Sequence, residues 1–117
     1  MKIAVTSKGN SLTSEIEQRF GRAQIILIVD SETMEYEVVD NSANFNALKG
    51  AGINTSTMLA EKGVKVVLTG HCGPNAFRTC NAAGINIVVE VSGNVEEVIK
   101  NFNNGKYKFA VSADVEK

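Results

Sequence analysis

An α/β fold with a mixed five-stranded sheet in three layers is what this chain predicts, on three observations. Ile25-Ile26-Leu27-Ile28-Val29 is too uniformly apolar to be exposed on either face, so a sheet covered on both sides is expected. Ser14 with Glu17, and Asn94 with Glu97, have the spacing of helix capping boxes. Short apolar runs closed by turn residues alternate with helix-patterned segments along the whole chain.

Taken in order, Ile3 to Thr6 reads as a buried strand stopped by Ser7-Lys8-Gly9-Asn10. A helix of barely two turns is expected from Ser14, with Ile16 and Phe20 on one face and Gly21 as its stop. Gln24 to Asp30 is the second strand. Glu35 to Val39 alternates charged with apolar residues, as an edge strand does, and the short polar link before it predicts an antiparallel hairpin. A polar stretch, Asp40 to Asn46, leads to a helix ending near Lys62-Gly63, with Leu48, Ala51, Thr55 and Leu59 in one stripe. Val64 to Thr69 is a strand, Pro74 to Ala83 a helix, and Ile85 to Val89 the last strand. In the final helix Val95, Val98, Ile99 and Phe102 recur at i, i+3, i+4 and i+7, and Gly105 ends it. A hairpin followed by βαβαβ, with right-handed crossovers, gives strand order 3-2-1-4-5 with strand 2 antiparallel: the ribonuclease H-like arrangement. Residues 1–105 read as one domain and 106–117 as a tail that adds an edge strand or stays loose.

The bulk composition narrows the function. At 117 residues, 44% of them apolar and 21% charged, the chain suits one domain with a proper core. Twelve basic against 13 acidic residues leave a net charge of −1, with no electrostatic footprint for nucleic acid or an anionic membrane. No window approaches a membrane span. With no export signal, Cys72 and Cys80 are expected to be free thiols, and the cytoplasm is the expected compartment.

In open α/β sheets ligands bind beyond the carboxyl ends of the strands. Ser7–Ser11, Asn41–Asn46 and Gly70–Asn75 would lie there, together with Phe20-Gly21-Arg22-Ala23 at the start of the antiparallel strand. The most informative stretch is Gly70-His71-Cys72-Gly73-Pro74-Asn75. Gly73 lets a ligand approach the backbone, and Pro74 suits the first turn of a helix, whose free N–H groups favour anions. A thiol there is expected to have a lowered pKa, which makes Cys72 a candidate thiolate metal ligand. The plain alternative is a Gly-Pro that only shapes a strand-to-helix turn. His71 is a second candidate ligand, though a lone histidine is often simply solvated. Arg22 could clamp an anion or be a surface arginine. Cys80 shares a helix face with Ala76, Phe77 and Ala83 and reads as a small buried hydrophobe. Two cysteines and one histidine cannot close a four-ligand metal site, so a bound metal must bring its own ligands, be shared between chains, or be held weakly.

Four segments in order carry a resemblance: F-G-R-A at Phe20–Ala23, G-x-x-G-P-N-A-F at Gly70–Phe77, A-G-I at Ala83–Ile85 and G-N-V-E-E-V-I-K-N-F-N-N-G at Gly93–Gly105. Together they resemble the dinitrogenase iron–molybdenum cofactor biosynthesis family, the NifX/NafY-like domain also found at the end of NifB and in orange proteins. The resemblance implies a ribonuclease H-like fold and non-enzymatic binding of an anionic metal–sulfur cluster. That cargo would be an iron–molybdenum cofactor precursor, an iron–sulfur or a molybdenum–copper sulfide cluster. It implies a client or donor protein as partner, neither nucleic acid nor membrane, and a monomer or weak homo-oligomer. Arg22, Gly70, His71, Cys72, Gly73 and Asn75 become the cofactor-binding set, with His71 and Cys72 as metal ligands.

Two enzymatic readings compete, along with a ligand-free regulatory or assembly domain. His71-Cys72-x5-Arg78-Thr79 has the outline of a cysteine-dependent phosphatase loop, in which a thiolate attacks phosphorus. Pro74, however, removes an N–H such a cradle needs, and a helical Asn75–Arg78 would carry the arginine away from the anion. A two-metal nuclease needs clustered carboxylates, and Lys2-Ile3-Ala4-Val5-Thr6 offers none.

Overall fold

The structure is a computed structural model, and residues 1–45 and 51–114 are described. Strand β1 (Lys2–Ser7) is central. It pairs antiparallel with β2 (Ile25–Asp30), Lys2 opposite Asp30 and Ser7 opposite Ile25, and β2 pairs antiparallel with β3 (Tyr36–Asp40). On its other side β1 runs parallel to β4 (Val66–Leu68), and β4 parallel to β5 (Asn86–Val88). The order is β3-β2-β1-β4-β5, as the hairpin followed by two crossovers requires.

Alternation along each strand sorts the apolar residues into two cores. Ala4, Ile26, Ile28, Val67 and Ile87 face one layer, where they meet Leu59, Ala76 and Cys80. Those three residues come from α2 (Ala51–Glu61) and α3 (Pro74–Ala82). Ile3, Val5, Leu27, Val29, Val66 and Leu68 face the other layer, where Val95, Val98 and Ile99 of α4 (Val95–Asn103) cover them. Both faces of β2 are therefore buried, which is why its sequence shows no alternation of polarity. A short α1 (Ser42–Phe45) follows β3. Leu48, expected in the stripe of α2, lies outside the described residues. Helix α4 starts in the expected way: the Glu97 N–H donates to Asn94 Oδ1 at 2.8 Å, and the Asn94 N–H donates to Glu97 Oε1 at 3.2 Å.

The helix expected from Ser14 to Gly21 does not form. This segment makes isolated bridges to Ser7, Asn94 and His71, and only Phe20–Arg22 closes a 3-10 turn. The Glu17 N–H donates to Thr6 O at 2.7 Å, the Ile16 N–H to Gly93 O at 3.0 Å, and the Val95 N–H to Ser14 O at 2.9 Å. Two helical turns supply few backbone bonds for the cost of nucleation, and partners across the sheet's end supply more. Nor is Gly21 a left-handed stop. It lies against α2, where an added Cβ would sit 3.5 Å from Gly52 Cα.

Beyond Gly105 the chain forms no strand among the described residues, although the Ala110 N–H donates to Ile87 O at 2.7 Å along the β5 edge. No helix among the described residues is long and apolar enough to cross a membrane.

Candidate functional site

The end of the sheet where β1, β3 and β4 finish and β2 begins carries two segments that are stitched together. The Thr69–Gly73 loop leads from β4 into α3, and the Phe20–Arg22 turn leads into β2. The His71 N–H donates to Gln18 O at 2.6 Å, and the Phe20 N–H donates back to His71 O at 3.1 Å. Gly70 makes this possible, because a Cβ there would lie 2.5 Å from Gln18 O and 2.8 Å from Gln18 Cα. Its lack of a side chain is thus spent on a protein segment crossing it, while Glu90, in a left-handed conformation (φ 61), donates its N–H to Gly70 O at 2.7 Å from the other side.

Buried hydroxyls and amides fix this layout from beneath. The Thr6 hydroxyl donates to Glu17 O at 2.6 Å, which leaves the Thr69 hydroxyl, 2.8 Å away, to donate to Thr6. The Asn41 side chain, at the exit of β3, donates to Ala23 O at 2.8 Å and to Thr55 Oγ1 at 3.0 Å. The turn bearing Arg22 is thereby held by α2 and β3 as well as by the His71 loop.

The candidate residues come out as follows. Arg22, His71 and Asn75 are exposed on the rim. Gly73 is the N-cap of α3 in ordinary extended conformation (φ −75, ψ 169), with Pro74 at the first helical position. Cys72 is divided: its backbone N–H faces the rim, while its side chain is buried to 1% exposure in the same cluster as Phe20, Ala76 and Cys80.

The expectation of a low-pKa thiol at Cys72 is therefore corrected. Burial pushes its pKa up to about 12, with Cys80 and Asp114 adding to the rise. Desolvation disfavours the charged form more strongly than a helix start favours it. Cys80 is buried as expected; burial raises its pKa too, against a hydrogen bond from its thiol to Ser56 Oγ at 3.1 Å. The phosphatase outline fails on the same geometry. Its thiol is buried in the core with a raised pKa, and Arg78 lies within α3, a little over one turn beyond the helix start.

Asp114 is the residue that sequence reasoning missed. Its Oδ1 accepts the Cys72 N–H at 2.7 Å, its Oδ2 lies 2.7 Å from His71 Nδ1, and its own N–H donates to Cys72 O at 3.3 Å. No local signal could have found it, since the contact joins residues 42 and 43 positions apart. A carboxylate only accepts, so Nδ1 carries a proton on the side of the ring that faces Asp114. Among the described residues no three or more His, Cys, Asp or Glu side chains are grouped to hold a metal ion. The donors present, one imidazole, backbone N–H groups and a guanidinium, fit an anion that carries its own ligands better than a bare cation.

Comparison with known proteins gives the chain its relatives. Residues 1–105 match the family model described as dinitrogenase iron-molybdenum cofactor. The apo orange protein of Desulfovibrio gigas superposes with a TM-score of 0.95 at 38% identity, covering 97% of this chain and 96% of that one. A NifB-like protein from Thermotoga, solved by NMR, superposes with a TM-score of 0.84 at 32% identity over 99% and 98% of the two chains. An uncharacterized protein of Methanocaldococcus jannaschii is 30% identical over 109 residues, 91% of this chain and 88% of its own length. With the family model spanning most of the chain, this protein belongs to the dinitrogenase iron-molybdenum cofactor family.

Proposed function

We propose that this protein is a non-enzymatic carrier for an anionic metal–sulfur cluster or iron–molybdenum cofactor precursor. The cargo is held on the rim made by Arg22, Gly70, His71, Cys72, Gly73 and Asn75 and passes to or from a client or donor protein. One observation carries the reading. The turn bearing Arg22 is hydrogen-bonded directly onto the His71–Cys72 loop that leads into α3, in a nearly neutral molecule. A guanidinium, an imidazole N–H and a helix start each favour anions locally without a net positive charge. A cluster whose metals are already ligated by sulfide needs no further metal ligand from the protein and can be held by hydrogen bonds to its sulfides. In this reading Gly70 and Gly73 keep the loop low, Cys72 contributes its N–H, and its thiol stays in the core.

Tetrathiomolybdate, a dianion with four sulfides, is the probe. Titrated into the anaerobic apo protein, it should bind the wild type and lose roughly ten- to a hundredfold in affinity in Arg22→Ala, the worth of one charge-assisted contact. Cys72→Ser should change affinity less than twofold. Absence of binding by the wild type, or Arg22→Ala binding as tightly as wild type, would overturn the assignment of the rim.

A further inference from the structure

We infer that the segment after α4 is a strap that closes the rim, with Asp114 seated where an anionic cargo would take its hydrogen bonds; this rests on the carrier reading. Three observations support it. First, Asp114 uses both carboxylate oxygens on rim donors, the Cys72 N–H and the His71 ring, each at 2.7 Å. An anion arriving at these donors must displace a group of its own sign. Second, beyond Tyr107, which packs against the core under α4, the strap is anchored lightly: Phe109 remains 46% exposed and Val111 95%, and among the described residues one backbone bond, Ala110 N–H to Ile87 O, ties its middle to the sheet. Phe109 meets Phe102 with ring centroids 6.3 Å apart, so the base of the strap is held while its end is held through Asp114. Third, the strap follows the last helix of residues 1–105, the stretch that the cofactor family model matches, and returns to the rim at the far end of the sheet.

The rim thus exists in a covered form and an open form, and cargo binds the open one. Apparent affinity is the intrinsic affinity reduced by the fraction of molecules that are open. Cargo and carboxylate exchange places: as the cluster arrives Asp114 leaves, and when the cluster passes on Asp114 returns and satisfies the Cys72 N–H. A client protein that drew the strap aside would promote loading, and release of the strap would promote discharge.

The test uses full-length, isotopically labelled apo protein titrated with tetrathiomolybdate under anaerobic conditions, wild type beside Asp114→Ala. Two results are expected together. Asp114→Ala binds about tenfold more tightly, the worth of a competing charge-assisted contact. Saturating wild type also moves the amide resonances of Ala110 to Ser112 towards the positions they occupy in unliganded Asp114→Ala. Equal affinities, or tail resonances unmoved by the probe, would overturn the strap and leave the carrier reading standing. Weaker binding by Asp114→Ala would overturn it too, because Asp114 would then be orienting His71 for the cargo. If neither protein binds the probe, the carrier reading and the strap fall together.

Discussion

Cys72 has one foot in the rim and one in the core, and the two ends answer to different physics. Its N–H is held by Asp114, while its thiol, with a pKa of about 12, is buried beside α3. An unfolded cysteine loses its proton from its ordinary value of 9.0 upward, and the folded one keeps it until about 12. Across that window the folded state binds more protons than the unfolded, so stability is full below pH 9, falls as pH rises, and the loss is complete near pH 12. The slope is about 1.4 kcal/mol per pH unit at most. Denaturant midpoints measured at pH 8 and pH 10.5 should therefore fall more steeply for wild type than for Cys72→Ala. The fall should not vanish in the variant, because burial raises Cys80 as well. A variant as steep as wild type would place the Cys72 thiol in solvent.

At the level of elements, the two expected capping boxes had opposite fates. Asn94 and Glu97 cap α4, whose Val95, Val98 and Ile99 are buried under one face of the sheet, so local signal and tertiary packing agree. Asn94→Ala should cost about 1 kcal/mol, read as a lower denaturation midpoint at unchanged slope. Ser14 and Glu17 have the same spacing, but the Ser14 hydroxyl instead accepts the Ser11 N–H at 3.2 Å and Glu17 accepts the Arg19 N–H at 3.2 Å. What separates the cases is a partner far away in sequence: Thr6, Gly93 and His71 take the backbone bonds of residues 16–20.

The same division runs through the site. The strand order was legible in the apolar runs and the hairpin, and with it the rim that brings Arg22 near Gly70–Asn75. Gly70 was legible as a special position, but the backbone of Gln18 that requires it was not. The thiol's direction was hidden too, since it depends on how the Gly73-Pro74 turn is rotated above the core. Asp114 lay beyond reach because nothing in a tail's composition tells which loop it will cross.

For the whole molecule, the sheet is a partition between two cores that share no buried residue, and the rim lies at one end of it. The five strands differ in length, from six residues in β1 and β2 to three in β4 and β5. The rim is held by the backbone bonds of residues 16–20 to Thr6, Gly93 and His71, and by Asn41 at the exit of β3. Gly52 completes the arrangement between the helices, since a Cβ there would approach the Ala76 Cβ to 2.8 Å. Helices α2 and α3 meet there, beside the turn that carries Arg22.

The polarity of β1 has a practical corollary for handling the protein. Lys2 pairs with Asp30 and Met1 O accepts the Ser31 N–H, so the amino end lies with the β2–β3 hairpin at the pole away from the rim. Six residues of strand, about 17 to 20 Å, separate it from Ser7. A sensor chip or purification handle grafted at exposed Met1 should report probe affinities within twofold of those in free solution. One grafted beyond residue 114 would tug on the segment that ends at His71 and Cys72, and side-by-side titrations of the two graftings should disagree.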